Sequence, residues 1–206
     1  MKKLIVPILL LCFMSTYNTI IAQDSTSDYK ERNPIYDYAE KQLNNTDTIP
    51  DFNSKSNKLK ITGTIFESDG TTPAKDVLLY IEHADENGDY QIKTDNDKRY
   101  VQHRGWVRTD SDGTYTFYTF IPGSAFEPIT YPKTRGMKQI FPVIKESGQT
   151  EYDLEAFLFD DDPLITKRCR TRLKKKGIDN ILKLVKQDDM FVANKNIILV
   201  QNSPSI

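Results

Sequence analysis

Histidine and cysteine, the usual transition-metal ligands and catalytic bases or nucleophiles, are scarce in this sequence. The chain has two histidines: His83 ends an apolar run, and His103 lies just before the strand predicted at Trp106–Thr109. An isolated histidine at the edge of a strand is more often structural or solvent-facing than a metal ligand. Cys169 lies in a basic segment with no histidine near it in sequence, so it lacks the context of a catalytic nucleophile.

The acidic turn Asp110–Gly113 resembles a fragment of a calcium-binding loop. It supplies the carboxylates of Asp110 and Asp112, but no glutamate follows at the spacing that such a loop requires. A turn whose backbone is capped by aspartate explains the pattern better. The sequence lacks the motifs of serine hydrolases, phosphate-binding loops, Cys-x-x-Cys proteins and zinc proteases. These classes of enzyme therefore have no support.

A succession of short strands must position these side chains. Residues 104–142 predict a strand, a tight turn, a second strand, a proline-containing loop and a last strand at Gln139–Phe141. Gly113 stands where the turn requires a positive φ. Thr114–Phe120 consists almost entirely of β-branched and aromatic residues, which are typical of strands.

The flanking segments continue this pattern. Leu59–Phe66 alternates between apolar and polar residues, as a half-buried strand does. Val77–Ile81 is continuously apolar, which predicts a strand buried on both faces. The polar residues 85–98 predict a long surface loop. Leu164–Lys176 predicts a helix that is ended by Gly177.

The C-terminal part completes the predicted fold. Ile181–Val185 and Asn196–Val200 flank a loop and predict a hairpin. Many short strands separated by turns between residues 59 and 206 predict an all-β domain, built as an antiparallel β-sandwich with one short helix near the C-terminus.

The first residues have the features of an export signal. Two lysines precede an apolar run at Leu4–Met14, and the small residue Ala22 stands near the end of the segment, which predicts a signal peptide at residues 1–22. The apolar run is short for a bilayer span. We therefore expect an exported chain, periplasmic or secreted, with no transmembrane segment after processing. Lipoprotein anchoring through Cys12 is the less favoured alternative, because bulky leucines precede this cysteine.

Composition narrows the range of partners. Residues 23–58 are polar and lack a sustained apolar period, so they predict a tether or a strap that lies on the domain. The formal net charge of −1 does not suggest a nucleic-acid partner. The basic run at residues 167–176 is interpreted as a solvated helix face, with a weak contact to an anionic surface as the alternative. Once Cys12 leaves with the signal peptide, Cys169 has no partner for an intramolecular disulfide.

The central residues also carry a resemblance to a known family. The pattern Arg-Gly-x3-Thr-Asp-x2-Gly-x-Tyr-x-Phe is formed by residues 104–117. Together with residues 61–90 and 151–165, it resembles the intradiol ring-cleavage dioxygenases, in particular a secreted bacterial branch. The resemblance covers the chain from Leu59 onwards. It implies a β-sandwich and a non-haem Fe(III) ion, held by two tyrosinates and two histidines, which cleaves catechols with O2 between the two hydroxyls.

The resemblance places the metal ligands of the family at four positions, of which one keeps its ligand. Tyr90 corresponds to the first tyrosine. Phe126 stands where the second tyrosine is expected, and Gln139 and Phe141 take the places of the two histidines. Phenylalanine has no donor atom, and a glutamine amide is a poor ligand for a transition metal. Arg135 is a loose match to the basic residue that stabilises charge on the bound substrate.

Three hypotheses follow. The first is an exported, catalytically degenerate protein without a cofactor, whose substituted site binds an aromatic or other small ligand or is packed shut. That pocket would be lined by Tyr90, Phe126, Arg135, Gln139 and Phe141. The second is a functional aromatic-ring dioxygenase with an altered Fe(III) site that uses Tyr90 and other donors. The third is an interaction module of an exported or surface-bound assembly. The residues favour the first and third over the second.

Overall fold

A computed structural model of the chain describes residues 29–38, 43–127 and 129–200. The predicted signal peptide and Cys12 lie outside the described residues. Among the residues described, no helix is both long enough and apolar enough to cross a membrane.

The described residues form fourteen strands, one α-helix and two short 3₁₀-helices. The 3₁₀-helices are Pro34–Tyr36 and Phe52–Ser54, and the α-helix, α1, is Lys167–Lys175. The strands are β1 (Thr46–Thr48), β2 (Lys58–Phe66), β3 (Leu78–His83), β4 (Ile92–Asp95), β5 (Lys98–Val101), β6 (Arg104–Arg108), β7 (Thr114–Phe120), β8 (Gln139–Lys145), β9 (Tyr152–Asp153), β10 (Phe157–Phe159), β11 (Ile181–Leu182), β12 (Val185–Gln187), β13 (Met190–Asn194) and β14 (Ile197–Ile198).

Two sheets pack face to face, which confirms the predicted β-sandwich. The first sheet has the strand order β1-β7-β2-β13-β12, with β14 also paired to β2. The second has the order β11-β10-β8-β3-β6, with β9 paired to β8. The central pairs β2–β7, β3–β6 and β3–β8 are antiparallel, as predicted. Several peripheral pairs, β1–β7, β2–β13 and β10–β11, are parallel.

The core lies between the inner faces of the two sheets. Every second residue of β2 is buried, so the alternation seen in the sequence is the alternation of a strand with one face on the core. The strand predicted at Thr114–Phe120 is β7, with the same bounds. Gly113 has a φ of +67°, and a Cβ there would lie 2.5 Å from the carbonyl oxygen of Ile65. The turn before β7 therefore requires glycine.

The outer face of the second sheet is covered by the segment that precedes β2. We call residues 29–38 and 43–57 the strap. Ile35 of the strap is fully buried and packs in a second apolar cluster with Leu78, Tyr80, Trp106 and Val143. The strap also adds β1 to the first sheet, in parallel with β7. The outer side of β3 is thus covered as well as the inner side, and the predicted burial of both faces is confirmed.

A buried ion-pair group fixes the strap to the sandwich. The carboxylate of Asp37 lies 2.8 Å from Lys98 Nζ and 3.3 Å from a guanidinium nitrogen of Arg104. The side chains of Asp37 and Lys98 are only 2% and 4% exposed. Trp106 Nε1 donates a hydrogen bond of 3.0 Å to the carbonyl oxygen of Pro34. The strap is therefore held by polar contacts as well as by the burial of Ile35.

Two predictions about the elements were wrong. Residues 85–98 are not one long loop, because β4 and β5 form a hairpin at residues 92–101. Asn96 and Asp97 turn that hairpin with φ values of 45° and 62°, which short hairpin turns require. The predicted C-terminal hairpin is also absent: β11 pairs with β10, and β14 pairs with β2. The hairpin in this part of the described chain is β12–β13.

The predicted helix is present but starts later than expected. The side chain of Thr166 accepts a hydrogen bond from the backbone N–H of Cys169, so Thr166 is the N-cap and α1 begins at Lys167. The preceding residues Asp162–Ile165 form turns instead. Gly177 has a φ of +71° and follows the helix C-terminus, as the sequence predicted.

Candidate functional site

Gln139 and Phe141, the two positions that correspond to the histidines of the family, lie on the outer face of the second sheet. Ile140, between them, is fully buried in the core. Because side chains alternate along a strand, Gln139 and Phe141 point to the opposite face. Phe141 is 36% exposed and lies opposite Glu82 of β3. Gln139 lies opposite Leu158 of β10.

Tyr90 belongs to the same surface. It follows β3 in the chain, and its side chain interacts electrostatically with Glu82. Burial of the phenol, and next the negative charge of Glu82, raise the pKa of Tyr90. The carboxylate of Glu82 also accepts a hydrogen bond from the hydroxyl of Tyr80. Glu82 therefore connects Tyr90 with the strand pair that carries Phe141.

Glu82 was not among the residues predicted from the sequence. The sequence does show one acidic residue, Glu82, near the end of the apolar run of β3. Because side chains alternate along a strand, Glu82 lies on the opposite face from Ile81 and His83. In a strand buried on both faces, such a residue requires a polar partner. The hydroxyl of Tyr80 supplies it.

The loop that carries Tyr90 is held by close backbone contacts. A Cβ on Gly88 would lie 2.1 Å from the carbonyl oxygen of Ser124, and a Cβ on Gly123 would lie 2.3 Å from that of Glu86. Asp85 accepts hydrogen bonds from the backbone N–H groups of Asn87 and Asp89. Burial tends to raise the pKa of this carboxyl, but these bonds and the one from Gln91 outweigh it, and the pKa of Asp85 is lowered.

Arg135 and Phe126 form a separate pair near this loop. The two residues are bridged by backbone pairing, and the guanidinium carbon lies 4.2 Å from the centre of the Phe126 ring. One nitrogen of Arg135 donates to the carbonyl oxygens of Asn87, at 2.7 Å, and Ser124, at 2.6 Å. Arg135 thus joins the loop after β3, which contains Asn87, to the loop after β7, which contains Ser124. Phe126 is 49% exposed.

The two histidines are core residues on the other face of the second sheet. His83 pairs in register with the buried Ile140, so its ring points inward and away from Gln139 and Phe141. Its Nδ1 lies 2.7 Å from the carbonyl oxygen of Ala84 and its Nε2 lies 2.7 Å from the hydroxyl of Thr119. Burial lowers the pKa of His83 to about 4.

His103 is stacked on His83, with 5.8 Å between the ring centres. Its side chain is fully buried, and its Nε2 lies 3.1 Å from a carboxylate oxygen of Asp51 in the strap. Neither histidine is solvent-facing, so of the structural and solvent-facing roles that the sequence favoured over metal binding, the structural one applies.

The residues at the candidate site do not fit a tightly held Fe(III) ion. Phe126 and Phe141 offer no donor atom, and Gln139 offers a neutral amide. Tyr90 is the single phenol among these four positions, and one phenolate does not make up the ligand set that holds Fe(III) tightly. Within residues 29–38, 43–127 and 129–200, no group of three or more His, Cys, Asp or Glu side chains is arranged to hold a metal ion.

Comparison with known proteins gives the class of fold. No family model and no curated protein matches the sequence. Solved structures do match. The dioxygenase domain of a dioxygenase carbohydrate-binding protein fusion from Streptomyces sp. SirexAA-E has a TM-score of 0.52 and 19% identity, covering 70% of this chain and 80% of that one. Catechol 1,2-dioxygenase from Acinetobacter radioresistens has a TM-score of 0.58 and 14% identity, covering 80% and 60%.

A third solved structure, also of a dioxygenase, matches this chain. Hydroxyquinol 1,2-dioxygenase from Pseudomonas putida DLL-E4 has a TM-score of 0.53 and 15% identity, covering 77% of this chain and 62% of that one. The protein therefore has the β-sandwich fold of the intradiol dioxygenases. It spans about 60% of the length of the catechol and hydroxyquinol enzymes. At these identities the likeness establishes the fold, and the activity must be argued from the site.

Proposed function

We propose that the protein is an exported, catalytically degenerate relative of the intradiol dioxygenases that binds a small ligand. The observation that carries the proposal is the side-chain chemistry at Phe126, Gln139 and Phe141, which removes the donors needed for Fe(III) while the fold is kept. Export is inferred from the apolar run near the N-terminus. The biological role would then lie in binding rather than in ring cleavage.

The ligand surface is formed by Tyr90 and Phe141 on either side of Glu82. Both aromatic residues are about one-third exposed; Phe141 lies on β8 and Tyr90 lies in the loop after β3. Two partly exposed rings near one another suit contact with a small aromatic molecule. The carboxylate of Glu82 suits a ligand hydroxyl, which can donate a hydrogen bond to it.

The alternative is a functional dioxygenase with an altered ferric site. Glu82 is the observation in its favour, because its carboxylate is a hard oxygen donor close to Tyr90. One feature opposes it: Glu82 already accepts a hydrogen bond from the hydroxyl of Tyr80. This alternative predicts that Glu82→Gln and Tyr90→Phe each reduce bound iron, whereas the degenerate protein has none to lose.

Ligand binding can be tested with catechol as the probe. We expect a titration followed by ¹H–¹⁵N NMR to give saturable shifts at the backbone amides around Tyr90 and Phe141, without turnover or O2 uptake. Phe141→Ala should weaken binding, and Ile129→Ala is the matched control because Ile129 is almost fully exposed and lies in the loop after Phe126. Catechol cleavage by the unaltered protein would refute the proposal.

The assignment of the ligand positions has its own test. Phe126→Tyr combined with Gln139→His and Phe141→His restores the donor types of the family, so this triple variant should gain or greatly strengthen ferric binding. If the variant folds but takes up no iron, the assignment of these positions is wrong.

A further inference from the structure

A small cleft lies between α1 and the second sheet, beside Gln139. Its volume is about 220 Å³, and a neighbouring cavity of about 330 Å³ shares Met137, Cys169 and Arg172 with it. Neither Tyr90 nor Phe141 lines these cavities. We propose that this cleft is a second ligand site, which takes a short carboxylic acid with an aliphatic body and a hydroxyl group at its far end.

The size and the walls of the cleft determine the body of the ligand. A volume of 220 Å³ corresponds to about seven water molecules of roughly 30 Å³ each, which suits a molecule much smaller than a typical drug. The apolar lining includes Met137, Ala156, Leu158, Leu173 and Ile178, none of which is aromatic. Flexible aliphatic walls of this kind suit an aliphatic chain better than a flat ring.

The positive charges at the exposed side determine the acidic group. Arg172 of α1 and Lys176, the C-cap residue of this helix, line the cleft and lie four residues apart, where two like charges repel each other. Among the described residues, neither forms an ion pair; the ion pair of this helix is Arg170 with Asp160. The lining contains two basic residues, Arg172 and Lys176, and one acidic residue, Glu155, so its formal charge is positive. A carboxylate would offset the repulsion and accept a paired hydrogen bond from the guanidinium of Arg172.

The buried side of the cleft determines the hydroxyl group. Asn180 lines the cleft and is only 5% exposed. Its Nδ2 donates to the carbonyl oxygen of Ala156 at 2.7 Å, but its Oδ1 is buried without a partner among the described residues. A buried acceptor without a donor is costly. Because this oxygen has almost no solvent-exposed surface in the ligand-free protein, a ligand hydroxyl satisfies it only after a small rotation of the Asn180 side chain, with Gln139 as a second polar group in the lining.

The test is a titration of the protein with ω-hydroxyhexanoate by calorimetry and ¹H–¹⁵N NMR. We expect one saturable site, with shifts at the side-chain amides of Gln139 and Asn180. Hexanediol lacks the carboxylate and should bind at least about tenfold more weakly, since a charge-assisted contact is lost. Arg172→Gln should weaken binding by a similar factor. Lys174→Gln is the matched control, because Lys174 lies on α1 but lines neither cavity.

A second variant separates binding in the cleft from attraction to the helix surface. Leu173→Trp fills the cleft without changing any charge and should abolish binding. Three results would overturn the proposal: no saturable binding of ω-hydroxyhexanoate, equal losses for Arg172→Gln and Lys174→Gln, or binding that persists in Leu173→Trp. Catechol binding is tested at Phe141, which does not line the cleft, so the two sites succeed or fail independently.

Discussion

His83 shows how burial sets the protonation of a single side chain. The carbonyl oxygen of Ala84 can only accept, so Nδ1 carries the proton and donates to it, and Nε2 accepts from the hydroxyl of Thr119. Burial lowers the pKa from 6.5 to about 4. Between these two values the unfolded chain binds a proton that the folded chain does not, so the stability falls as the pH is lowered through this window.

The free energy of unfolding should therefore depend on pH through His83. We expect a loss of roughly 3 kcal/mol between pH 7 and pH 4, since each unit of pKa difference is worth about 1.4 kcal/mol. The measurement is urea denaturation at several pH values. In His83→Gln the baseline stability should be lower, but the dependence on pH over this range should be flatter. Parallel curves for the two proteins would contradict this role for His83.

Residue chemistry also explains which parts of the candidate site the sequence could predict. Gln139 and Phe141 alternate with the apolar Ile140, so their common face follows from the strand pattern alone. The neighbourhood of Phe141 and Glu82 does not, because it depends on the register of β3 against β8, and the approach of Tyr90 to Glu82 depends on the loop after β3. The contacts of Arg135 with the carbonyl oxygens of Asn87 and Ser124 depend on loop conformations that no sequence pattern encodes.

At the scale of elements, the strap depends on a buried charged group. Asp37 forms ion pairs with Lys98 of β5 and Arg104 of β6, so it joins the strap to two separate strands. Removing one member of a buried ion pair leaves the other charge without compensation. The strap should therefore be sensitive to changes at Asp37.

Asp37→Asn should lower the free energy of unfolding by about 3–5 kcal/mol, because Lys98 would remain buried without a carboxylate. Trp106 is the single tryptophan of the chain and lies beneath the strap, so its fluorescence emission should shift to longer wavelength if the strap loosens. The control is Asp97→Asn. Asp97 pairs with Lys30 at the surface, where a change should cost at most about 1 kcal/mol. Equal effects of the two variants would show that Asp37 does not have this role.

The elements that the sequence predicted well are those with one face on the core. β2 and β7 have clear alternation because their inner residues are buried and their outer residues are not. All residues of β4 are exposed, so that strand has no apolar pattern and its sequence predicts a loop. The C-terminal strands failed for another reason: β11 and β14 pair with β10 and β2, and partner choice is not visible in a local pattern.

At the scale of the whole molecule, the protein has an inner core between the sheets and an outer apolar cluster under the strap. β3 contributes to both: Leu79 and Ile81 face the inner core, and Leu78 and Tyr80 face the outer cluster. Because one central strand is shared, we expect the strap and the sandwich to unfold together.

Ile35→Ala tests this coupling. Truncating a fully buried isoleucine should cost about 2–5 kcal/mol, and the transitions followed by Trp106 fluorescence and by far-ultraviolet circular dichroism should coincide. Ile129→Ala serves as the comparison, since Ile129 is 94% exposed and should change stability by less than about 0.5 kcal/mol. Separate transitions in the unaltered protein would show that the strap is an independent unit.

The likeness to dioxygenases extends over most of the sandwich, yet fold alone does not establish activity. The proposed difference in function lies in the side chains: Tyr90 is the single phenol at the four candidate positions, and Phe126, Gln139 and Phe141 offer no strong ferric ligand. The unaltered protein and the triple variant with Phe126→Tyr, Gln139→His and Phe141→His thus differ in the number of side chains that can bind Fe(III), and this number decides between the two proposed functions.

The most direct measurement is the iron content and visible absorption of the purified protein after incubation with ferric iron. Tyrosinate bound to Fe(III) gives an intense charge-transfer band, so the result is visible as colour. We predict that the unaltered protein stays colourless and iron-free, whereas the triple variant becomes coloured. A coloured unaltered protein with stoichiometric iron, and loss of that colour in Tyr90→Phe, would contradict the central claim and identify a working ferric site.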